Sequence, residues 1–179
     1  MKAVGHARLR FLDAAGATTV LTRLYARAVG GERTSEAVPR NYGASTSMIS
    51  TIGSGGVEAT MVIEGSVDTL VFNAYCEQVL RPTLRVGDVI VLDNLGAHRA
   101  RRIEAIAMGG GARVMWLPPY SPDFSPIELM WSKVKAHLKK VKARTQTELE
   151  RAIAAALETI TVSDCVNWFR HCGYEVTLN

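Results

Sequence analysis

Two continuous apolar runs in the second half of the chain constrain its fold more than any other feature. They lie in the stretches GDVIVLDN at 87–94 and ARVMWLPPY at 112–120. Apolar runs without polar alternation are typical of strands that are buried on both faces, as in parallel sheets. The stretch between them, LGAHRARRIEAIAMGGG at 95–111, predicts a helix that ends at its glycines. The second half therefore predicts alternating strands and helices with parallel pairing.

The first third of the chain predicts antiparallel strands instead. LRFLD at 9–13 predicts a short strand that ends in an acid, and TRLYARAV at 22–29 alternates apolar residues with arginines. TSMISTIG at 46–53 and ATMVIEGSV at 59–67 are rich in residues that favour strands, and the stretch GSGG at 53–56 predicts a turn between them. We therefore expect a run of antiparallel strands before the parallel part.

Helical periodicity predicts the remaining elements. Asp68 begins a helix that Pro82 closes, and three further helices are predicted over 126–142, 146–159 and 162–172. The predicted fold class is α/β, with a mixed five-stranded sheet in which three antiparallel strands precede a parallel extension. Helices flank this sheet.

Length and composition predict a single soluble domain over residues 1–179. The chain is 47% hydrophobic and 21% charged, and its net charge of +4 mildly favours a polyanionic partner. Its three cysteines form no CxxC pair, so a disulfide framework or a zinc site is not expected. The sequence shows no signal peptide and no apolar segment of about 20 residues, so we expect no membrane association and a cytoplasmic location.

Three acids occupy the ends of predicted elements. Asp13 and Asp93 follow apolar strands, and Glu128 opens the helix after the next strand. Ligands of α/β sheets commonly bind at the carboxyl ends of strands, and converging carboxylates favour Mg²⁺ or Mn²⁺ over zinc. Each acid alone also has a structural explanation. Asp13 and Asp93 suit turns, and Glu128 suits a capping box with Ser125.

The motifs VIVLDNLGAH and VMWLPPYSPDFSPIELMWSKVK resemble the catalytic core of DDE transposases, in particular the bacterial insertion-sequence branch of the mariner superfamily. Asp93 and Glu128 have 34 residues between them, a spacing typical of that superfamily, and RFLDAAG takes the place of the first Asp motif. The resemblance covers essentially all 179 residues and implies an RNase H-like fold. The chain departs from the branch at Ala14, where Glu is common.

The resemblance implies a metal-dependent activity on DNA. Asp13, Asp93 and Glu128 would be the catalytic and metal-ligating residues for two Mg²⁺ or Mn²⁺ ions. One ion would activate water against a phosphodiester at the element end, and the other would stabilise the leaving 3′ oxygen. The freed 3′-hydroxyl would then attack target DNA. Two alternatives stay open: a catalytically decayed DNA-binding remnant and a stand-alone RNase H-like nuclease.

The resemblance also implies partners besides DNA. Full-length relatives carry N-terminal helix-turn-helix DNA-binding modules, and this region is expected to be absent from residues 1–179. An upstream-frame helix-turn-helix polypeptide is therefore a candidate partner. Because relatives cut DNA as dimers, a homodimer is also expected.

Three further residues are candidates for supporting roles, each with an alternative. Asn94 either orients Asp93 or contacts DNA, or it is a turn residue. His98 lies one helical turn further and either faces the site or is exposed without a role. Tyr120 is expected to pack in the core or loop, with contact to DNA as the alternative. Asp123 is treated as a turn residue unless Glu128 fails as a ligand.

The helix after Glu128 carries a basic face opposite its apolar stripe. A charge run is usually a solvated face, but beside a site that cuts DNA it predicts a surface that follows phosphates. The residues in question are Lys133, Lys135, Lys139, Lys140, Lys142 and Arg144.

A last expectation concerns the start of this helix. Because a carboxylate that ligates a metal cannot easily fold back onto its own helix terminus, we predict that the Ser125 side chain caps the helix. We also predict that Glu128 does not complete the reciprocal half of the box.

Overall fold

The first strand lies at the centre of a five-stranded mixed sheet of order β3-β2-β1-β4-β5. β1 (Leu9–Thr18) pairs antiparallel with β2 (Ser45–Gly53), which pairs antiparallel with β3 (Gly56–Glu64). On its other side β1 pairs parallel with β4 (Val89–Leu92), which pairs parallel with β5 (Arg113–Trp116). The predicted mixed sheet is therefore confirmed.

This computed structural model describes only part of the chain. The described residues are 8–23, 25, 29–32, 35, 37–38, 45–93 and 97–176, and the side chains of 97–99 lie outside the description.

The helix that follows the third strand changes its winding before it ends. α1 (Thr69–Tyr75) begins at Asp68, whose carboxylate accepts a 2.8 Å hydrogen bond from the Val71 amide. The chain continues as a π-helical turn over Cys76–Leu80 and a 3₁₀ turn over Arg81–Thr83. The predicted start at Asp68 is confirmed, and the helical run ends around Pro82 as expected.

Four further helices lie in the described part of the chain. They are α2 (Ala97–Gly109), α3 (Pro126–Val141), α4 (Gln146–Glu158) and α5 (Val162–His171), each within two residues of its predicted bounds. In the described part of the chain, no helix combines the length and the apolar character that crossing a membrane requires.

The sheet separates two hydrophobic cores. Phe11 and Val91 face a core built with α3, α4 and α5, whereas Leu12 and Ile90 face a core built with α1 and α2. Since successive side chains of a strand point to opposite faces, odd-numbered residues of β1 and β4 face α3 in this part of the sheet. This alternation determines to which face of the sheet each strand residue can contribute a functional side chain.

Two predictions for the first third are wrong. β1 continues to Thr18, so Asp13 lies inside a strand and not at its end. The antiparallel partner β2 accompanies β1 from Phe11 to Thr18, and this pairing sustains the strand past the acid. The predicted strand at 22–29 is also not formed where it is described: Thr22, Arg23 and Tyr25 are in no strand, and Val29 begins a 3₁₀ turn.

Candidate active site

Strand register brings Asp13 and Asp93 to the same level of the sheet. The last parallel pair between β1 and β4 is Phe11 with Val91, and each aspartate lies two residues beyond its member of that pair. Neighbouring strands lie about 4.8 Å apart, so Asp13 within β1 lies beside Asp93, which directly follows β4. A step of two also keeps them on the face of Phe11 and Val91, which is the face that α3 covers.

Glu128 comes to this face from the first turn of α3. Pro126 occupies the first helical position, where its missing N–H costs nothing, and the Glu128 side chain is exposed. The Ser125 amide donates a 2.9 Å hydrogen bond to the Pro122 carbonyl, so it is not held by the Glu128 carboxylate. The predicted absence of the reciprocal half of the capping box is therefore confirmed.

The predicted side-chain cap of Ser125 is wrong. Ser125 does occupy the N-cap position, but its hydroxyl makes no capping hydrogen bond. The Glu128 amide, which a capping hydroxyl would bind, donates instead to the Ser125 carbonyl at 3.1 Å. The first turn is therefore closed by a backbone bond that spans three residues.

A tryptophan from α3 contacts the first aspartate directly. The indole Nε1–H of Trp131 donates to Oδ2 of Asp13 over 3.0 Å, and the Trp131 side chain is buried. In the sequence, Trp131 is recognisable only as an apolar residue of this helix. It follows Glu128 by three residues, so the two are neighbours on the surface of α3, and this spacing is the sequence signal that links Trp131 to the site.

The pKa of Asp13 responds to both of the other acids. Burial is the largest of the causes that raise the pKa of Asp13 from 3.8 to about 6, and the negative charges of Glu128 and Asp93 contribute to this rise. Hydrogen bonding to the Ala14 backbone and the Trp131 indole acts in the opposite direction. Asp13 therefore lies in a negative field that a bound cation would offset.

The donor set of this site fits a hard divalent cation. Carboxylate oxygens suit Mg²⁺ and Mn²⁺, and Mg²⁺ commonly takes only one or two protein carboxylates and completes its shell with water and substrate phosphates. Within the described residues, no group of three or more His, Cys, Asp or Glu side chains closes around one point as a metal cluster. The arrangement is thus an open pair of aspartates, one within β1 and one just after β4, with a nearby exposed glutamate.

The supporting residues have different outcomes. Asn94 lies outside the described residues, and His98 belongs to α2 with its side chain outside the description. The expected packing of Tyr120 is wrong, because its side chain is fully exposed and its backbone adopts a left-handed conformation with φ 57°. Asp123 lies exposed in a 3₁₀ turn over Pro122–Phe124, as expected of a turn residue.

Two of the predicted basic residues share a groove with the candidate site. Lys135 and Lys139 line a groove of about 370 Å³ together with Glu128 and Trp131. Positions 128, 131, 135 and 139 recur every three or four residues, so they lie along one side of the helix. Lys140 is also exposed on α3.

Two other basic residues of the set also contact other elements of the protein, and their role in binding DNA stays a prediction. The Lys133 ammonium lies 2.7 Å from Oδ2 of Asp164 and donates to the Thr159 carbonyl over 2.9 Å. The Arg144 guanidinium donates to the Thr19 carbonyl over 2.7 Å. Lys142 ends α3 in a left-handed conformation with φ 58°. Lys133 and Arg144 therefore fasten elements to one another.

The sheet order, the mixed pairing and the acids on adjacent central strands define an RNase H-like fold. The chain belongs to the DDE superfamily endonuclease family, whose family model matches residues 8–150. No curated protein sequence matches the chain significantly.

Solved structures with a similar fold include several of the Mos1 mariner transposase. A pre-cleavage Mos1 transpososome is 14% identical with a TM-score of 0.75, and 93% of this chain covers 53% of that one. The Mos1 paired-end complex with Mn is 16% identical with a TM-score of 0.71, and 92% of this chain covers 52% of that one. The isolated Mos1 catalytic domain is 12% identical with a TM-score of 0.65, with coverages of 93% and 77%. The chain thus spans about half the length of the transposase chains in those complexes.

Proposed function

We propose that this chain is the catalytic domain of a transposase. It cleaves DNA phosphodiesters at element ends and joins the freed 3′-hydroxyl to target DNA. The observation that carries the proposal is the register of the sheet, which puts Asp13 and Asp93 level on the face from which α3 presents Glu128. Family membership supports the assignment, and so does the similar fold of proteins solved as transposon-end complexes.

Asp13, Asp93 and Glu128 would hold the divalent ions, and we propose two of them. Structures of similar fold were solved with Mn and with Mg. When bound, such ions supply an activated water and offset the charge that develops on the scissile phosphate and the leaving oxygen. Asp13 lies within the central strand of the sheet and Asp93 directly follows the neighbouring strand, whereas Glu128 is an exposed side chain on the first turn of α3.

The groove along α3 extends the site into a DNA-binding surface. Glu128 and Lys139 are eleven positions apart, which corresponds to about 16 Å along a helix axis. That distance matches about five base pairs of DNA at 3.4 Å each. Lys135 and Lys139 would therefore bind the phosphate backbone next to the scissile bond. The element ends are the substrate in this proposal, and a homodimer with an upstream helix-turn-helix polypeptide is the proposed assembly.

The test is divalent-dependent nicking of DNA that carries the flanking inverted repeats, with the upstream polypeptide supplied. We expect wild-type protein to nick with Mg²⁺ or Mn²⁺, and Asp93→Asn and Glu128→Gln to lose at least about a hundred-fold in rate. Asp123→Asn is the matched control, because it removes an exposed carboxylate from the loop just before α3. It is expected to nick like wild type.

The outcomes separate the alternatives. Nicking that Asp93→Asn retains at the wild-type rate would overturn the assignment of the site. Nicking without joining to target DNA would support a stand-alone nuclease. DNA binding without any nicking would support a decayed remnant.

A further inference from the structure

We propose that Trp131 is a positioning residue of this site. Its indole N–H fixes one oxygen of Asp13 and ties α3, which carries Glu128, to the central strand β1. The inference rests on the proposed function and deepens it, since it assigns the residue that sets the geometry of two metal-ligating acids. In this assignment Trp131 acts through Asp13.

The burial of the indole makes the hydrogen bond to Asp13 the important contact. Trp131 is only 1% exposed, so its N–H requires a protein partner and finds Oδ2 of Asp13 at 3.0 Å. Asp13 and Trp131 are 118 positions apart in sequence, so the bond is purely tertiary. A hydrogen bond to an ionised acceptor is also stronger than a neutral one.

The oxygens of Asp13 divide into bound and available acceptor sites. The Trp131 indole takes one site on Oδ2. This donor holds one oxygen of the carboxylate in place, yet a carboxylate offers about four acceptor positions, so capacity for a cation remains. Groups that orient metal ligands in this way tune metal affinity without touching the metal.

The same side chain positions the helix that carries Glu128. Trp131 follows Glu128 by three residues, and both border the groove that also contains Lys135 and Lys139. Trp131 belongs to the same hydrophobic core as Phe11 of β1. Loss of the bond is therefore expected to loosen the position of α3 at the site as well as the orientation of Asp13.

The chain supplies a matched control for this bond. The Nε1–H of Trp116 donates to Oε1 of Glu104 over 3.1 Å, which is also an indole–carboxylate hydrogen bond but joins the end of β5 to α2. Trp131→Phe and Trp116→Phe therefore delete the same type of bond, one on the α3 face of the sheet at Asp13 and one on the opposite face, where Trp116 pairs with Leu92. Phenylalanine keeps most of the apolar ring in both variants.

The first measurement follows the indole N–H resonances of the full chain by NMR during a Mg²⁺ titration. The chain has three tryptophans, and each resonance is assigned as the one missing in the corresponding Trp→Phe variant. We expect the Trp131 resonance to shift with Mg²⁺, because Oδ2 belongs to the carboxylate that binds the cation. The Trp116 resonance is expected to stay unchanged.

The second measurement is the affinity for Mn²⁺ by calorimetry. Trp131→Phe is expected to weaken binding by about ten- to a hundred-fold, and Trp116→Phe to leave it at the wild-type value. Near-ultraviolet circular dichroism checks that both variants fold. Should Trp131→Phe fail to fold, the wild-type titration still decides, with Trp131 assigned by elimination from Trp116→Phe and Trp168→Phe.

Failure of the positioning role can be distinguished from failure of the proposed function. Calorimetric Mn²⁺ and Mg²⁺ binding with an unmoved Trp131 resonance would overturn the positioning role and leave the proposed function standing. Unchanged Mn²⁺ affinity in a folded Trp131→Phe variant would do the same. Absence of divalent-ion binding to wild-type chain, even in the presence of DNA ends, would overturn the proposed function and this inference with it.

Discussion

At the residue scale, Asp13 shows how a candidate site lowers the stability of the fold that carries it. Its pKa of about 6 lies above the ordinary value of 3.8, mainly because the carboxyl group is buried. The folded state therefore binds more protons than the unfolded state between these two pH values. By linkage, the stability of the metal-free protein decreases as the pH rises through this window, and the full loss is present above it.

Asp13→Asn is accordingly expected to stabilise the metal-free protein at neutral pH. The amide oxygen can still accept from the Trp131 indole, while the buried charge is removed. At about pH 7.5 we expect a gain on the order of 2 kcal/mol, or roughly 6 °C in melting temperature, which largely disappears near pH 4. Thermal unfolding in the presence of a chelator measures the stability gain at both pH values. Asp123→Asn, at an exposed position, is the control. A lower melting temperature for Asp13→Asn at about pH 7.5 would contradict the burial argument.

Site residues that follow from a local sequence pattern were predictable, whereas roles that depend on a tertiary contact were not. The strand-then-acid pattern led to Asp13 and Asp93, and the helix start led to Glu128. The structure brings all three to one side of the sheet, although their role as ligands stays a prediction. The indole bond of Trp131 and the ion pair of Lys133 join residues far apart in sequence. No periodicity within one helix predicts such partners.

At the element scale, α3 presents its lysines to two different environments. Lys135 and Lys139 line the groove that contains Glu128, whereas Lys133 binds Asp164 at the start of α5. The hydrogen bond from Lys133 is the largest cause of the lowered pKa of Asp164, at about 2. Substitution of Lys135 and Lys139 is therefore expected to affect DNA binding, and substitution of Lys133 to affect stability.

The double variant Lys135→Ala, Lys139→Ala is expected to weaken binding to any DNA sequence and to flatten its salt dependence. Each lost phosphate contact lowers the slope of log affinity against log salt by about 0.9. Lys133→Ala is the matched control: it should keep the wild-type slope and lose roughly 1 kcal/mol of stability. Binding titrations at several salt concentrations and thermal unfolding measure the two effects. A wild-type slope in the double variant would show that α3 is not part of the DNA-binding surface.

The bounds of the elements show where sequence patterns reach their limit. The bounds of α3, α4 and α5 were predictable because the apolar periodicity of each helix and the residues at its ends indicate the same limits. The capping boxes at Thr145 and Thr161 are examples of such end residues. The extension of β1 beyond Asp13 was not predictable, since the small residues there have weak strand preference and only pairing with β2 sustains them. The π-helical turn over Cys76–Leu80 likewise has no local signal in the sequence.

At the scale of the whole molecule, the candidate site joins the parts that stabilise the fold. β1 and β4 form the centre of the sheet, and α3 packs on them with α4 and α5 in a single core. A cation bound by Asp13, Asp93 and Glu128 would therefore link β1, the end of β4 and α3. Because unfolding separates these elements, the unfolded chain has no equivalent site. Metal binding is thus expected to stabilise the whole domain.

The corresponding prediction is a rise in melting temperature with Mn²⁺ or Mg²⁺. A free ion concentration of a hundred times the dissociation constant adds about 2.7 kcal/mol, which corresponds to roughly 5–10 °C for a domain of this size. A chelator should reverse the rise, and Asp93→Asn should abolish most of it, whereas Asp123→Asn should retain it. If Asp93→Asn and wild type gain equally, the ion binds elsewhere, because removing a ligand charge at this edge of the sheet must lower the affinity of a site built from it.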